Sequence, residues 1–335
     1  MKTVVIQESV MQPNLTAEEI SAVWHRLDGF PEVDELVIEK PGGYPDLDQL
    51  HSYIGDAEAA FGVWISPRII NEEFLKQHPK LRYIAMLGHG FEPFDAAMTR
   101  RLGLTITNTV YGGQTIAEYA WALLMEVCHH VTWHSDKAKK TDWTNRGNQE
   151  RYGVLLTPQI ELYGKTAGVI GIGAIGLAFA RMAAGFGMKV VSYSRTKRTG
   201  PEYDFIEQVG LDELLSRSDV ISVHAPHNPG TDKMLDGAAF DKMKEGVILI
   251  NTARGGLIDE DALVAALRSG KVYGAGLDVL RDEPFLPNHP IFAFDNVLVT
   301  EHIAWLTRES RLRACSMAID NFRAYLDGKP VSVIN

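Results

Sequence analysis

Cysteine is almost missing from this 335-residue chain, which holds only Cys128 and Cys315, in no CxxC pair. That scarcity argues against a disulfide framework or a cysteine-based zinc site. Long apolar runs are missing too. No window approaches the roughly 18 uninterrupted apolar residues of a membrane span. The opening MKTVVIQESV lacks the extended apolar core of a signal peptide. Positive charge is in deficit, because 33 Lys and Arg against 43 Asp and Glu leave a formal charge of −10. Such a surface disfavours non-specific binding to nucleic acid or anionic membranes, so an anionic ligand needs a local basic cluster. The expectation is a protein of the reducing cytoplasm with no nucleic-acid or membrane partner.

What is present is a globular composition, 45% hydrophobic and 23% charged, and a length that suggests two domains. Strand-length apolar runs alternate with helix-length amphipathic stretches. TVVIQ reads as a strand, and TAEEISAVWHRL as a helix opened by a capping box, Thr16 with Glu19. AAFGVWIS, LRYIAML and LTITNT are further strands, with NEEFLKQH and PFDAAMTRRLG as helices between them. A long apolar helix is expected from about 115 to 138, followed by a polar stretch to about 164 that marks a domain boundary. The alternation then restarts through TAGVIGIG, MKVVSYS, DVISVHA, GVILINTA, KVYGAGLDV and NVLVTEH. Regular β-then-α order implies an α/β protein of two doubly wound parallel-sheet domains, the second a Rossmann dinucleotide-binding domain.

Gly171-Ile-Gly173-Ala174-Ile175-Gly176 follows one strand and opens a helix. The first glycine allows the tight turn, the second lets backbone approach a pyrophosphate, and the third lets helix and strand pack closely. Small residues also occur where helices merely pack tightly on a sheet, so the strand-loop-helix context carries the reading. At the end of the second strand an NAD site usually offers a carboxylate to the ribose 2′-hydroxyl. Here Ser194 stands there, followed by Arg195, Thr196, Lys197 and Arg198. A hydroxyl with guanidinium groups suits a 2′-phosphate, so NADP(H) is favoured over NAD(H). The plainer alternative is a solvated basic turn.

Arg254, Glu283 and His302 lie just beyond three strands of the second unit, at the sheet edge where open α/β folds bind ligands. Arg254 can grip a carboxylate with two charge-assisted hydrogen bonds and polarise an adjacent keto oxygen. His302 can give a proton to that oxygen, and Glu283 can hold the imidazole in one tautomer. Each residue alone is more often a surface or turn residue. Together at one edge, they read as a site for hydride transfer to a small 2-keto acid.

GKTAGVIGIGAIG, INTARGGLIDEDAL, GAGLDVLRDEP and TEHIAW, with TIAEYAWALL and the closing GKPVSVIN, resemble the D-isomer-specific 2-hydroxyacid dehydrogenases along essentially the whole chain. The resemblance implies a substrate domain of residues 1–108 with 304–335 and a nicotinamide dinucleotide-binding domain of residues 109–303. By resemblance, Arg254 binds substrate, Glu283 is the acid partner and His302 the acid/base. It also puts Asp278 near the nicotinamide, Thr109, Ala225, Thr252 and Ala253 along the cofactor, and His89 and Gly90 on the substrate carboxylate. A homodimer through an arm at about 110–160 is implied as well. Ser194 departs from the family's usual acid. Glu283, where related formate dehydrogenases carry Gln, speaks against formate oxidation. Ala304 and Trp305 resemble the hydroxypyruvate reductase and glycerate dehydrogenase branch, hence the expected hydroxypyruvate or glyoxylate as substrate.

Other readings compete. Glu126, His130 and His134 are spaced i, i+4, i+8 on the expected long helix, but no further acids or cysteines complete a metal site. His224 and His227 flank Pro226 and are expected to line the cofactor cleft chiefly through backbone, while Trp121 and Met125 read as core or interface. A nicotinamide-sensing, corepressor-like binding protein on the same fold is the alternative to an enzyme; retention of Arg254, Glu283 and His302 favours the enzyme. Amino-acid dehydrogenation lacks an evident lysine beside the motifs.

Overall fold

The computed structural model describes residues 1–7, 15–41, 45–91, 93–142, 144 and 157–335. The chain divides into two compact units, Met1–Gly112 with Leu306–Asn335, and Gly113–Trp305.

The first unit is built on five parallel strands: β1 (Lys2–Ile6), β2 (Glu35–Glu39), β3 (Ala59–Phe61), β4 (Tyr83–Ala85) and β5 (Thr105–Thr107). Their order is β2-β1-β3-β4-β5. Alternate side chains serve opposite faces. Val4 and Ile6 pack with Ile54, Phe74 and Ile106, whereas Val5 packs with Trp24, Phe61 and Phe322. Each fully buried side chain of this size contributes about 2–3 kcal/mol. Thr16 caps the helix Ala17–Trp24 in the expected reciprocal capping box with Glu19. Phe322, on the C-terminal helix Arg308–Leu326, belongs to this unit.

The second unit carries seven parallel strands: β6 (Thr166–Ile170), β7 (Lys189–Tyr193), β8 (Glu207–Gln208), β9 (Val220–Val223), β10 (Val247–Asn251), β11 (Val272–Leu277) and β12 (Val297–Val299). Their order, β12-β11-β10-β9-β6-β7-β8, reverses between β6 and β9. That reversal opens the crevice in which such sheets take ligands. Ile170, Ile221 and Leu249 face Leu214 and Leu263, while Val169, Val220 and Ile250 face Trp121, Leu124 and Phe179. Every residue of β10 is buried, which is why VILIN reads as an unbroken apolar run rather than an alternating one.

Two expectations need correcting. The boundary between the units falls at Gly112 and Gly113, ahead of the long helix rather than in the polar stretch after it. The long helix is two helices, Gly113–His129 and Val131–Lys140, separated at His130, whose φ is 49°. The first buries a face of Ala117, Trp121, Leu124 and Cys128; the second buries no residue. Without a core to follow, the chain turns, and the Glu126 carboxylate accepts from the Thr132 amide at 3.0 Å, satisfying a donor at the new helix start. Among the described residues, no helix is long and apolar enough to cross a membrane.

Candidate active site

The glycine loop joins β6 to the helix Ala174–Gly185. Gly171 has φ +93°, and a Cβ there would stand 2.6 Å from the His224 carbonyl oxygen and 2.7 Å from the Ala225 nitrogen. Only glycine lets the end of β6 lie against the segment leaving β9. A Cβ on Gly176 would run into the Gly171 carbonyl oxygen, so the helix packs straight onto the turn. Gly173 differs, with nothing within 4 Å of its Cβ position and no side-chain cap at the helix start. The first-turn amides therefore have no side-chain cap at the positive end of a helix, a ready anion site. Gly173 and Ala174 are exposed and Ile175 is half-buried.

Two buried polar atoms without partners lie at the neighbouring strand ends: His224 Nδ1 after β9 and Thr252 Oγ1 after β10. Ala225 and Ala253, beside them, are half-buried. Burial pushes the His224 pKa down to about 3, and its Nε2 sits 2.8 Å from Ser222 Oγ. An open phosphate cradle beside unpaired polar atoms fits a dinucleotide. After β7, Ser194 Oγ accepts from the Ile172 amide at 2.9 Å, tying its hydroxyl to the glycine loop. Arg195, Thr196, Lys197 and Arg198 are exposed. Gln208 of β8 clamps this turn: its Oε1 accepts from the Arg198 amide and its Nε2 donates to the Arg198 carbonyl, both at 2.7 Å.

Arg254, Glu283 and His302 follow β10, β11 and β12, three adjacent strands. Arg254 Nη1 donates to the Ala253 carbonyl at 2.7 Å, and the residue is half-buried. Burial lowers its pKa from the ordinary arginine value, while the Glu283 charge works to raise it. Asn251 holds the turn, its Nδ2 donating to the Arg254 carbonyl and its Oδ1 accepting from the Ala253 amide, each at 3.0 Å. His302 Nδ1 lies 2.7 Å from Glu283 Oε2, with both side chains about one-third exposed, 35% and 34%. His302 adopts φ +56°, a left-handed conformation that costs a non-glycine residue about 1–3 kcal/mol. It is held by its own amide donating to the Asp278 carbonyl at 2.8 Å and by Trp305 Nε1 donating to its carbonyl at 2.9 Å. Asp278, fully buried at the end of β11, accepts from the amides of Ile303 and Ala304 and from Thr300 Oγ1. Burial raises its pKa from the ordinary carboxylate value, and the Thr300 hydroxyl and those amides oppose the rise.

In the first unit, His89 and Gly90 sit half-buried in the loop after β4. Asn108 Nδ2 donates to the His89 carbonyl at 2.9 Å, and the Thr109 amide donates to the Gly88 carbonyl at 3.1 Å. Thr109 is fully buried, with Oγ1 donating to the Met86 carbonyl at 3.4 Å.

Residues 121–304 match the family described as D-isomer specific 2-hydroxyacid dehydrogenase, NAD binding domain. The chain belongs to that family. The hydroxypyruvate reductase of Blautia hydrogenotrophica is 36% identical over 308 residues, covering 92% of this chain and 94% of that protein. The glyoxylate reductase of Aeropyrum pernix is 35% identical over 323 residues, covering 91% and 93%. Among solved structures, an acyclic imino acid reductase in complex with NADPH and D-arginine matches with TM-score 0.82 and 29% identity over 100% of both chains. As a D-isomer specific 2-hydroxyacid dehydrogenase, the protein is an oxidoreductase with a nicotinamide cofactor.

The remaining sequence candidates fall outside the chemistry of this dehydrogenase. Glu126, His130 and His134 do not converge, because the helix break sends them to Thr132, Tyr273 and Thr157. Among the described residues, no group of three or more His, Cys, Asp or Glu could hold a metal. His227 Nε2 pairs with Asp232 at 2.8 Å. Trp121 packs tilted against Phe179, ring centroids 5.3 Å apart, as core, and Met125 packs against the same cluster. Of the expected dimer arm, residues 143 and 145–156 lie outside the described residues. Sequence reasoning passed over Asn251 and Thr300. A lone Asn closing the apolar run VILIN was the available signal, since a buried amide needs partners.

Proposed function

We propose that this dehydrogenase reduces a small 2-keto acid of the hydroxypyruvate or glyoxylate type to its D-2-hydroxy acid with NADPH. The observation that carries the proposal is the His302–Glu283 pair at 2.7 Å, on a sheet edge shared with Arg254 and the glycine cradle. The names of the relatives, hydroxypyruvate reductase and glyoxylate reductase, support the substrate class.

In this reading Gly171, Gly173, Ala174, Ile175 and Gly176 hold the cofactor diphosphate, with Ala225, Thr252, Ala253 and Asp278 along the remainder of the cleft. The nicotinamide, when bound, supplies the hydride to C2. Asn251 fixes the Arg254 turn, so the guanidinium meets the carboxylate and the keto oxygen without rearranging. Glu283 occupies His302 Nδ1, which leaves Nε2 to carry the proton that passes to the keto oxygen. One hydride at carbon and one proton at oxygen complete the hydroxy acid. In reverse, neutral Nε2 takes the hydroxyl proton. In the first unit, the His89–Gly90 loop and Thr109 are proposed as substrate and cofactor contacts on the family resemblance alone.

The preference for NADPH rests on Ser194 where an acid is usual, and on the exposed Arg195, Thr196, Lys197 and Arg198 held by Gln208. The NADPH in the similar imino acid reductase supports it. A homodimer through the arm is supported by Val131 and Trp133, 60% and 43% exposed on a helix with no buried residue. Free buried thiols at Cys128 and Cys315 suit a reducing cytoplasm. The test is nicotinamide absorbance with a panel of 2-keto acids. Turnover of hydroxypyruvate or glyoxylate, faster with NADPH, is expected; reduction of neither acid overturns the proposal.

A further inference from the structure

His302 depends on a turn that its own side chain does not stabilise. Its amide donates to the Asp278 carbonyl, and the amides of Ile303 and Ala304 donate to the two Asp278 carboxylate oxygens, both at 2.9 Å. Asp278 has no solvent exposure. The rotamer of one buried carboxylate therefore sets the backbone on the far side of the histidine.

That rotamer is itself fixed by Thr300, whose carbonyl also accepts from the His302 amide at 3.0 Å. Thr300 Oγ1 lies 2.7 Å from Asp278 Oδ1. A carboxylate only accepts, so the single Thr300 proton goes to Asp278, and the Thr300 oxygen is left as an acceptor. The hydrogen bond from Thr300 to Asp278 has one polarity and ends at the turn that carries His302.

We propose that Thr300 is a positioning residue for His302, acting through the carboxylate of Asp278. The proposal deepens the functional reading above and rests on it. Thr300 does not touch substrate; it holds the imidazole where Arg254 presents the keto oxygen, and a small misplacement of a proton donor is costly in rate.

The experiment compares Thr300→Val, Thr300→Ser and Thr300→Ala with wild type, using hydroxypyruvate, glyoxylate and NADPH, with circular dichroism as the folding check. Thr300→Val keeps the shape of threonine and removes the donor. Its kcat should fall about tenfold while KM for NADPH stays within about twofold, because the glycine cradle is untouched. Thr300→Ser, which restores the donor, should return kcat to within about twofold of wild type. A folded Thr300→Val enzyme with wild-type kcat overturns the proposal, as does a loss that serine does not rescue. If Thr300→Val does not fold, Thr300→Ala decides against Thr300→Ser: a reduced kcat at unchanged KM that serine restores supports the positioning role, and wild-type kcat overturns it. Active wild type beside unaffected variants sinks the positioning role alone. Wild-type protein that reduces neither acid sinks the functional reading and the positioning role with it.

Discussion

Asn251 donates to the carbonyl oxygen of Arg254 at 3.0 Å from a strand end with no solvent exposure. The same carboxamide accepts from the Ala253 amide, so one side chain satisfies two backbone groups of the turn that presents the guanidinium. Asn251→Ala leaves the Ala253 amide without this partner and the Arg254 carbonyl with the Leu257 amide alone, and the expected loss of stability is about 1–3 kcal/mol. Urea unfolding measures it. The KM for the keto acid should rise with it, because the guanidinium loses its fixed base. An unchanged urea midpoint would show that the turn holds itself.

Arg254→Lys keeps the charge and removes the two-pronged grip. A lysine ammonium is a point charge that does not match a carboxylate and its neighbouring keto oxygen together. KM for the keto acid should rise and kcat fall, reducing kcat/KM by about 100-fold, with NADPH affinity unchanged. Steady-state kinetics with fluorescence titration of NADPH separates the two. Equal losses in both would place Arg254 in cofactor binding instead.

Ser194→Asp should move the enzyme toward NADH. The introduced carboxylate would repel a 2′-phosphate and accept from a ribose hydroxyl, and it can still accept from the Ile172 amide that Ser194 now serves. The ratio of kcat/KM for NADH over NADPH should rise by about tenfold or more. An unmoved ratio would locate cofactor selection elsewhere.

Stability should depend on His224 at mildly acid pH. Burial holds its folded pKa at about 3, against an ordinary value of 6.5. The unfolded chain therefore takes up a proton that the folded site refuses. The stabilisation is complete above pH 6.5 and is lost as pH falls from there toward 3. Each unit in that window costs up to about 1.4 kcal/mol. His78, buried and pushed the same way, adds with the same sign. Urea midpoints at about pH 7.5 and about pH 5.5 should differ more for wild type than for His224→Gln; equal differences would show that His224 is accessible to protons.

The legible parts of this protein are those with a local signature. The glycine loop, the capping box at Thr16 and the polar residues ending VILINTAR and NVLVTEH each announce themselves within a few positions. β2 escaped because its five residues are flanked by glutamates and none is fully buried, which leaves little apolar signal. β8 has two residues and no apolar one. The break at His130 was hidden because helical periodicity counts side chains and does not say where the core ends. Thr300 and Asp278 come from separate segments, and only the sheet order brings the strand ends that carry them together. Asn251 was readable in principle, as a polar residue at the end of an unbroken apolar strand.

Proton transfer from His302 under the control of Glu283 is the step on which the proposed reaction turns. The most direct measurement is single-turnover oxidation of NADPH by hydroxypyruvate, wild type against His302→Ala, at matched cofactor occupancy. The rate constant should fall by about 10²–10⁴-fold while NADPH binds as in wild type. A His302→Ala enzyme that turns over at the wild-type rate would contradict the account.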